Sequence, residues 1–313
     1  MSGPVLLGDA HPTAEVARPS TACVEVSADQ KAIVGRMTVR RALPRRGRRT
    51  VGPWCFADHI GPAGAGEQSR LEMGPHPHIG LQTVTWLLEG STLHRDGLGS
   101  EQMLLPGELS LMTAGAGVAH SEASIDGHTA RLHGVQLWVA QPEATRHGPA
   151  AFEHHSGLPR FVLGVAEVTV LVGELNGTRS DARHDSPIVG ADLAAGRGES
   201  TIPLRKDFEH ALMVLSGAVT VGRRLLVPGT LGYLGLGRDE LLLRTSEPTR
   251  ALLIGGAPFL EPLLMWWNFV ARDQAEMARA YSDWTGESER FAPFDSPLER
   301  VPAPAPFWSA DRQ

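Results

Sequence analysis

Two pairs of metal-binding side chains stand out in the sequence. His76 and His78 are separated by one residue, and 42 residues after His78 comes His120, which is again one residue away from Glu122. In an extended strand, residues i and i+2 point to the same face, so each pair can direct both side chains at one point. Three imidazoles and one carboxylate suit a divalent ion of iron, manganese, nickel, copper or zinc. We therefore expect one metal site with these four ligands, which in six-coordinate geometry leaves two positions for water, substrate or dioxygen.

Several polar residues near these pairs have two interpretations each. Asp58 and His59 could lie at the mouth of the metal site or have a structural role in their loop. His94, Arg95 and Asp96 follow a glycine turn. They could border the site, or they could fix the turn through hydrogen bonds and ion pairing.

A hydrolytic site has little support. Ser180, His184 and Asp185 lie close together in the sequence, but the motif that would place a nucleophilic serine at a sharp strand-to-helix turn does not surround them. The metal site is therefore the main candidate for chemistry.

The rest of the sequence predicts the strands that must position the metal ligands. Its 35 glycines and 23 prolines make turns frequent and long helices scarce. Between the turns lie short segments rich in β-branched and aliphatic residues, a pattern typical of an all-β sandwich or barrel. The clearest of these segments are residues 81–88, 132–140, 161–172, 211–221 and 240–244.

One arrangement of these segments occurs twice. Each copy has a strand that ends at glycine, then a Pro-Gly turn, then another strand, and the copies are about 125 residues apart. Such a repeat indicates a duplicated barrel, with chance similarity between β-rich segments as the alternative. The first copy comprises residues 83–90, 104–107 and 109–115, and the second comprises residues 211–217, 226–229 and 231–237.

The second copy provides an internal comparison for the metal site. When the copies are aligned on their glycine and Pro-Gly turns, the positions equivalent to the three histidines hold Pro203, Arg205 and Leu242. None of these side chains is a usual ligand for a divalent metal. We therefore expect a single metal site, in the first copy.

The repeat also suggests how the chain divides into domains. Residues 1–150 are expected to form an N-terminal metal-binding barrel, and residues 151–313 a C-terminal barrel without metal. His154 and His155 then fall in the linker. Apolar residues recur at helical spacing before Gly286, so a short helix at about 270–285 is predicted to pack on a barrel.

Composition narrows the classes of function. The chain is 42% apolar and 20% charged, as in globular proteins, and its net charge of −6 argues against nucleic acid as a direct partner. No apolar segment reaches the roughly 18 residues that span a bilayer. Cys23 and Cys55 are too few for a disulfide framework, and residues 1–19 contain no recognisable secretory signal. We expect a cytoplasmic protein without membrane contact.

One local cluster of arginines departs from the acidic balance. It surrounds Pro44 and Gly47, and we interpret it as a solvated loop. Its members are Arg40, Arg41, Arg45, Arg46, Arg48 and Arg49.

The segments around the histidines resemble the pirin family of bicupins, proteins with two tandem cupin-type β-barrels. The resemblance is strongest in PHPHIGLQTVTWLLEGSTLHRDGLGS, PGELSLMTAGAGVAHSE and LHGVQLWV, between residues 75 and 139. The segments VGPWCFADHIGP and EPLLMWWNFVARDQAEMARAY match other blocks of that family, so the resemblance covers about residues 30 to 285.

This resemblance implies a metal, usually iron, in the N-terminal barrel and none in the second. Matched position by position, the ligands are again His76, His78, His120 and Glu122, and Fe(II) is the expected ion. Many cupins have a glutamate ligand a few residues after the His-x-His pair, where this chain has Gln82. Gln82 is therefore expected to hydrogen-bond behind the ligands at most, or simply to belong to the barrel.

Some pirin-like proteins are similar to quercetin 2,3-dioxygenases, so the resemblance implies metal-dependent opening of a flavonol by O₂. Glu122 would then alternate between metal ligand and proton acceptor, which makes it the candidate catalytic residue. A flat aromatic substrate needs apolar walls. The available side chains are Trp86, Leu88, Met103, Met112 and Trp138.

Two other functions are compatible with the same sequence. Eukaryotic pirins are linked to transcription-factor complexes, so this chain could be a metal- or redox-dependent regulatory protein that binds a protein partner without catalysis. It could also be a structural bicupin in which the metal only stabilises the barrel. Oxygen consumption with a flavonol would distinguish the enzyme from both.

Overall fold

The predicted strands form and build two β-barrels. The computed structural model describes residues 24–35, 37–62, 71–124 and 131–306. Over these residues the chain is mostly antiparallel sheet, with one α-helix near its C-terminus. The prediction of two tandem barrels with a short C-terminal helix is therefore confirmed.

The first barrel combines a seven-stranded and a four-stranded sheet. The larger sheet has the order β12-β9-β6-β11-β4-β3-β2 and the smaller has β5-β10-β7-β8. The strands are β2 (Gln30–Val34), β3 (Met37–Leu43), β4 (Trp54–Ile60), β5 (Glu72–His78), β6 (Leu81–Glu89), β7 (Thr92–Asp96), β8 (Glu101–Leu104), β9 (Leu109–Thr113), β10 (Val118–Ala123), β11 (His133–Ala140) and β12 (Ala151–His155).

The second barrel has the same plan. Its larger sheet has the order β1-β21-β18-β23-β16-β14-β13, with β15 paired to β14, and its smaller sheet has the order β17-β22-β19-β20. The strands are β1 (Glu25–Ala28), β13 (Arg160–Leu163), β14 (Ala166–Leu175), β15 (Thr178–Arg179), β16 (Ile188–Ala195), β17 (Gly198–Pro203), β18 (Glu209–Ser216), β19 (Val219–Val221), β20 (Arg224–Leu226), β21 (Thr230–Gly235), β22 (Glu240–Thr245) and β23 (Thr249–Gly256).

The larger sheets of the two barrels share one buried apolar cluster. Trp54 lies fully buried within it. Its indole Nε1–H donates to the carbonyl oxygens of Val189 at 3.1 Å and Gly255 at 3.0 Å, both in the second barrel. Gly190 leaves room for the ring, since a Cβ there would lie 2.9 Å from Cζ2 of Trp54. This contact therefore joins the barrels through packing and hydrogen bonds together.

Each end of the described chain associates with the barrel that is more distant in sequence. Strand β1 pairs with β21 of the second barrel. The hairpin formed by β24 (Leu264–Trp266) and β25 (Phe269–Ala271) lies against the first barrel, where Phe269 bridges to Ile79 at the end of β5. These segments cross the division at residue 150, and the boundary itself stays a prediction.

The C-terminal helix α1 spans Gln274–Thr285. It begins later than the predicted residue 270 because residues 269–271 form β25, and Asp273 caps it by accepting from the backbone N–H of Glu276 at 2.8 Å. Gly286 ends the helix, as predicted. Among the described residues, no helix has the length and hydropathy that a transmembrane span requires.

The expected linker around His154 and His155 is wrong. Both residues belong to β12, which pairs with β9 at the edge of the first barrel's larger sheet. All five residues of β12 are half-buried, and the position of the two histidines between the copies of the repeat did not reveal this strand.

Candidate metal centre and its cavity

Adjacent strands bring the three predicted histidines together. His76 and His78 lie on β5, His120 lies on the neighbouring β10, and His120 is directly opposite His76 in the antiparallel register. One nitrogen from each imidazole belongs to a group in which all atoms lie within 4.8 Å of one another. The Nε2 atoms of His78 and His120 are 3.1 Å apart. The period of two residues along a strand thus produces the convergence that the sequence predicts.

Two of these imidazoles are oriented by backbone carbonyls. The Nδ1–H of His76 donates to the oxygen of Gly74 at 2.9 Å, and that of His78 donates to the oxygen of Asn268 at 2.9 Å. When Nδ1 carries the proton, Nε2 keeps its lone pair for a metal. Asn268 belongs to the turn between β24 and β25, so the C-terminal segment contributes directly to this site.

His120 is oriented by a chain of side chains instead. Its Nδ1 lies 3.3 Å from Nδ1 of His94, and Nε2 of His94 lies 2.9 Å from Oδ2 of Asp96. An ionised carboxylate only accepts hydrogen bonds, so His94 donates through Nε2 and can accept through Nδ1. His120 then donates through its own Nδ1, which leaves its Nε2 free on the side of His78.

Asp96 and His94 are themselves held in place. Oδ1 of Asp96 accepts from the backbone N–H groups of Leu98 and Ser100, both at 2.9 Å. Burial favours a higher pKa for Asp96, but the hydrogen bonds from His94 and Ser100 lower it. The ring of His94 stacks on Phe152, with centroids 4.2 Å apart. Asp96 therefore fixes the turn and His94 contacts His120, but neither belongs to the lining of the cavity beside the histidines, and Arg95 pairs with Glu101 instead.

Burial keeps the imidazoles in the state that binds metals. It lowers the pKa of His76 to about 4, and it lowers the pKa values of His78 and His120 well below the usual range. The neighbouring imidazoles lower the values of His78 and His120 further. Near neutral pH all three rings are uncharged, and this donor set fits a divalent transition metal.

Glu122 lines the same cavity as the histidines but is not a member of the three-histidine group. A register shift between His120 and Glu122 interrupts the pairing of β10 with β5. Burial raises the pKa of Glu122, and Thr85 lies within 3.4 Å of its Oε1. Its roles as fourth ligand and as catalytic residue remain predictions.

The cavity beside the histidines has largely apolar walls. Phe56 and Trp138 stack there with ring centroids 4.1 Å apart, and Trp138 meets His78 edge-on at 5.2 Å. The full lining is Val34, Val39, Phe56, Asp58, Ile60, Leu71, Met73, His76, His78, His120, Glu122, Gln136, Trp138 and Asn268. The cavity thus places an aromatic surface next to the candidate metal centre.

Only Trp138 among the five predicted wall residues belongs to this lining. The assignment of Trp86 to the cavity wall is wrong. Thr85, the residue before it, faces Glu122, so Trp86 points to the opposite side of the strand and joins the cluster between the barrels. Leu88 has the same parity and packs on that cluster. Met112 packs in a separate apolar cluster, and Met103 is half-buried on β8 away from the lining.

Asp58 and His59 occupy opposite faces of β4. Asp58 lines the cavity and accepts two hydrogen bonds from Arg41, at 2.8 Å each. Burial raises the pKa of Asp58, and the bonds from Arg41 oppose that effect. His59 is fully buried on the other face, where its Nε2 lies 3.0 Å from Nε2 of His133. The first residue therefore belongs to the cavity and the second to the structure around it.

Arg41 corrects the interpretation of the arginine cluster as a solvated loop. It is only 6% exposed and lies on β3, where its guanidinium also covers the ring of Phe56 at 4.4 Å. Arg48 lies over the ring of Tyr233 at 3.2 Å, so it too is engaged with the protein. Arg46 is exposed, as expected for a loop residue.

The remaining candidates lie away from the cavity. Gln82 donates a hydrogen bond to Thr113 at 3.0 Å and is not part of the cavity lining, so it belongs to the structure of the barrel. Ser180 donates to the carbonyl oxygen of Leu171, whereas Asp185 pairs with Arg183, and the two do not form a triad with His184.

The second barrel contains no second group of this kind among the described residues. Its interior is filled by an apolar cluster. His210 is also buried in this barrel. The described part of the chain therefore has one candidate metal centre, and the absence of a metal from the second barrel stays a prediction.

Comparison with known proteins identifies the family. The Pirin profile matches residues 36–139, and the profile of the Pirin C-terminal cupin domain matches residues 189–291. A Pseudomonas aeruginosa protein, named as a candidate quercetin 2,3-dioxygenase, is 44% identical over 292 residues, which cover 92% of each chain. The chain belongs to the pirin family.

Other pirin relatives agree in sequence and in fold. A pirin-like protein of Caulobacter vibrioides is 34% identical over 80% of this chain and 89% of its own length. The crystal structure of a quercetin 2,3-dioxygenase from Acinetobacter baumannii superposes with a TM-score of 0.86 at 40% identity, covering 90% of this chain and 95% of that one. The two barrels are thus cupin barrels in pirin arrangement.

Several contributors to this pirin site were missed in the sequence, among them Phe56, Asn268, Arg41 and Gln136. Asn268 acts through its backbone carbonyl, which no side-chain pattern reveals. Arg41 was grouped with its arginine neighbours, although it lies on the same strand face as other buried residues of β3. Gln136 lies opposite Asp58 on β11, and only the strand pairing brings the two together.

Proposed function

We propose that this protein is a metal-dependent dioxygenase of the pirin type that opens flavonols such as quercetin with O₂, with Fe(II) as its cofactor. The observation that carries the proposal is the convergence of three buried neutral imidazoles on one side of an aromatic cavity. The names of the Pseudomonas and Acinetobacter relatives support the same chemistry.

The proposed ligands are His76, His78, His120 and Glu122. A bound divalent ion would supply Lewis acidity that makes a coordinated hydroxyl easier to deprotonate. The rings of Phe56 and Trp138 both line the cavity and give a planar substrate apolar contacts beside the histidines.

Glu122 is the proposed proton acceptor. Its carboxylate lines the cavity that the substrate would enter, and the hydroxyl oxygen of Thr85 lies 3.4 Å from its Oε1. A proton acceptor has to reach the substrate hydroxyl within hydrogen-bond distance. The position of Glu122 two residues beyond His120 supports this reach.

The test combines metal content with oxygen consumption. Protein reconstituted anaerobically with Fe(II) is assayed on quercetin in an oxygen electrode, together with His78→Ala and the control His155→Ala, which lies on β12 outside the lining. We expect one metal equivalent and oxygen uptake in wild type and in the control, and neither in His78→Ala. Metal binding without oxygen uptake on any flavonol would contradict the proposed dioxygenase activity and favour a regulatory protein.

A further inference from the structure

The wall of the cavity carries two rows of side chains that run across neighbouring strands. One row is aromatic and consists of Trp138 on β11 and Phe56 on β4, which are opposite each other in the register. The second row is polar and lies two residues away from the first, at Gln136 on β11 and at Asp58 on β4. Its members, paired in order across β6, β11, β4 and β3, are Thr85, Gln136, Asp58 and Arg41.

The polar row is built from fixed groups. The hydroxyl of Thr85 donates to Oε1 of Gln136 at 2.8 Å, and the guanidinium of Arg41 donates to both oxygens of Asp58. Asp58 is 2% exposed, so its carboxylate is buried but still faces the cavity. A two-bonded carboxylate retains lone pairs that can accept further hydrogen bonds.

We propose that Asp58, held by Arg41 and flanked by Gln136, accepts a hydrogen bond from a ligand hydroxyl remote from the metal-binding oxygens. This proposal rests on the proposed function, because it assigns a specificity determinant to the same cavity. The ligand class is an extended phenol with more than one ring. Its apolar rings contact the aromatic row and one hydroxylated edge meets the polar row.

The spacing of the strands sets the length of this ligand. Thr85 lies beside Glu122, and β11 separates its strand β6 from β4, which carries Asp58. Adjacent strands are about 4.8 Å apart, so roughly 10 Å separate the Glu122 end of the row from Asp58. A single benzene ring is shorter than this span, whereas a two- or three-ring phenol can bridge it.

The chemistry of the Arg41–Asp58 pair explains why a ligand with a hydroxyl at this place is preferred over one with a C–H group. A buried carboxylate that already has its guanidinium partner gains a charge-assisted hydrogen bond from an O–H donor. A ligand with only a C–H edge at that place displaces water from the carboxylate without replacing its hydrogen bond. Sites of this kind discriminate strongly against analogues that lack the hydroxyl.

The experiment measures the dissociation constants of two ligands under anaerobic conditions with Fe(II)-loaded protein. Quercetin carries hydroxyls remote from its chelating oxygens, whereas 3-hydroxyflavone keeps the chelating oxygens and has no other hydroxyl. We expect wild type to bind quercetin at least tenfold more tightly than 3-hydroxyflavone. In the double variant Arg41→Met/Asp58→Leu, this ratio should fall towards one.

The double variant removes both charges together, so that no unpaired buried charge remains. The matched control is Arg250→Met/Asp192→Leu, which removes the corresponding bidentate pair from the second barrel and should keep the wild-type ratio. If Arg41→Met/Asp58→Leu does not fold, Gln136→Leu is measured in its place. We then expect a partial fall in the ratio of the two dissociation constants.

The possible outcomes separate this inference from the proposed function. Oxygen uptake with equal binding of both ligands by wild type would overturn the role of Asp58 and leave the enzyme intact. Selective binding that depends on Asp58 without any oxygen uptake would support the hydroxyl site and overturn the dioxygenase. Binding of neither ligand would overturn both.

Discussion

The carbonyl oxygen of Asn268 accepts a hydrogen bond of 2.9 Å from Nδ1 of His78, although 190 positions separate the two residues. The intervening chain forms β6 to β12 of the first barrel and every strand of the second barrel except β1 before it returns to the first barrel. The turn that presents the carbonyl contains Trp267 at a left-handed φ of 55°. The orientation of one candidate metal ligand therefore depends on the docking of the C-terminal hairpin.

Substitution of Gly80 by alanine should weaken metal binding without touching a candidate ligand. A Cβ at Gly80 would lie 2.3 Å from the carbonyl oxygen of Val270, so β25 has to move away and Asn268 moves with it. Gly99→Ala is the control, because Gly99 also has positive φ but has nothing within 4 Å of its Cβ position. Competition with a chelator measures the affinities, and equal values for the two variants would contradict the prediction.

The hydrogen-bond chain behind His120 predicts a graded response at His94. Phenylalanine can keep the stacking on Phe152 but cannot accept from His120, so metal affinity should fall about tenfold to a hundredfold. Glutamine can accept through its oxygen and donate to Asp96 through its nitrogen, and it should retain most of the affinity. Titration with Zn(II) measures this independently of catalysis. Equal losses in both variants would indicate that only the shape of the ring matters.

Trp54 and Gly190 should show strong coupling in stability. Trp54→Phe removes the donor that serves two carbonyl groups and leaves a void, with an expected loss of about 3 kcal/mol in the free energy of unfolding. Gly190→Ala places a Cβ against the indole and should also destabilise. In the double variant the smaller ring makes room for that Cβ, so the combined loss should be less than the sum. Urea denaturation of the four proteins gives the coupling energy, and additive losses would refute the contact.

His210 should make the protein sensitive to acid even without metal. Burial lowers its pKa in the folded state to about 4, whereas Asp207 and a hydrogen bond to the backbone of Phe208 oppose this effect and Arg205 adds to it. Its contribution to stability is complete above the unfolded pKa of roughly 6.5 and is lost as the pH falls towards 4, about 2 kcal/mol by pH 5. His210→Leu should remove this part of the slope.

The measurement for His210 is urea denaturation with EDTA at pH 7.5 and pH 5. The exposed His184, replaced by leucine, is the control and should keep the wild-type slope. If the stability difference between His210→Leu and wild type is the same at both pH values, His210 does not titrate as proposed.

The convergence of the histidines could be predicted from the sequence because it depends on local geometry. The alternation of side chains along a strand determines that His76 and His78 share a face, whatever the rest of the fold does. The pairing of β5 with β10 was not predictable from spacing alone, but the second His-x-acid pair at His120 required such a neighbour.

The walls of the cavity were harder to predict, and β6 shows why. It is buried on both faces, since one side faces the cavity and the other faces the second barrel. Alternation between apolar and polar residues, which normally identifies the inner face, is therefore absent. Trp86 was assigned to the wrong face for this reason, whereas Trp138 was assigned correctly.

The exchange of chain ends between the barrels has a consequence for biosynthesis. A ribosome releases His76, His78 and His120 well before it releases Asn268, and β1 emerges long before its partner β21. The first barrel therefore leaves the ribosome with an incompletely ordered metal site and an unpaired strand. A metal ion that binds during translation would bind to the three histidines with lower affinity. The mature site forms only after the hairpin of β24 and β25 has docked on the first barrel.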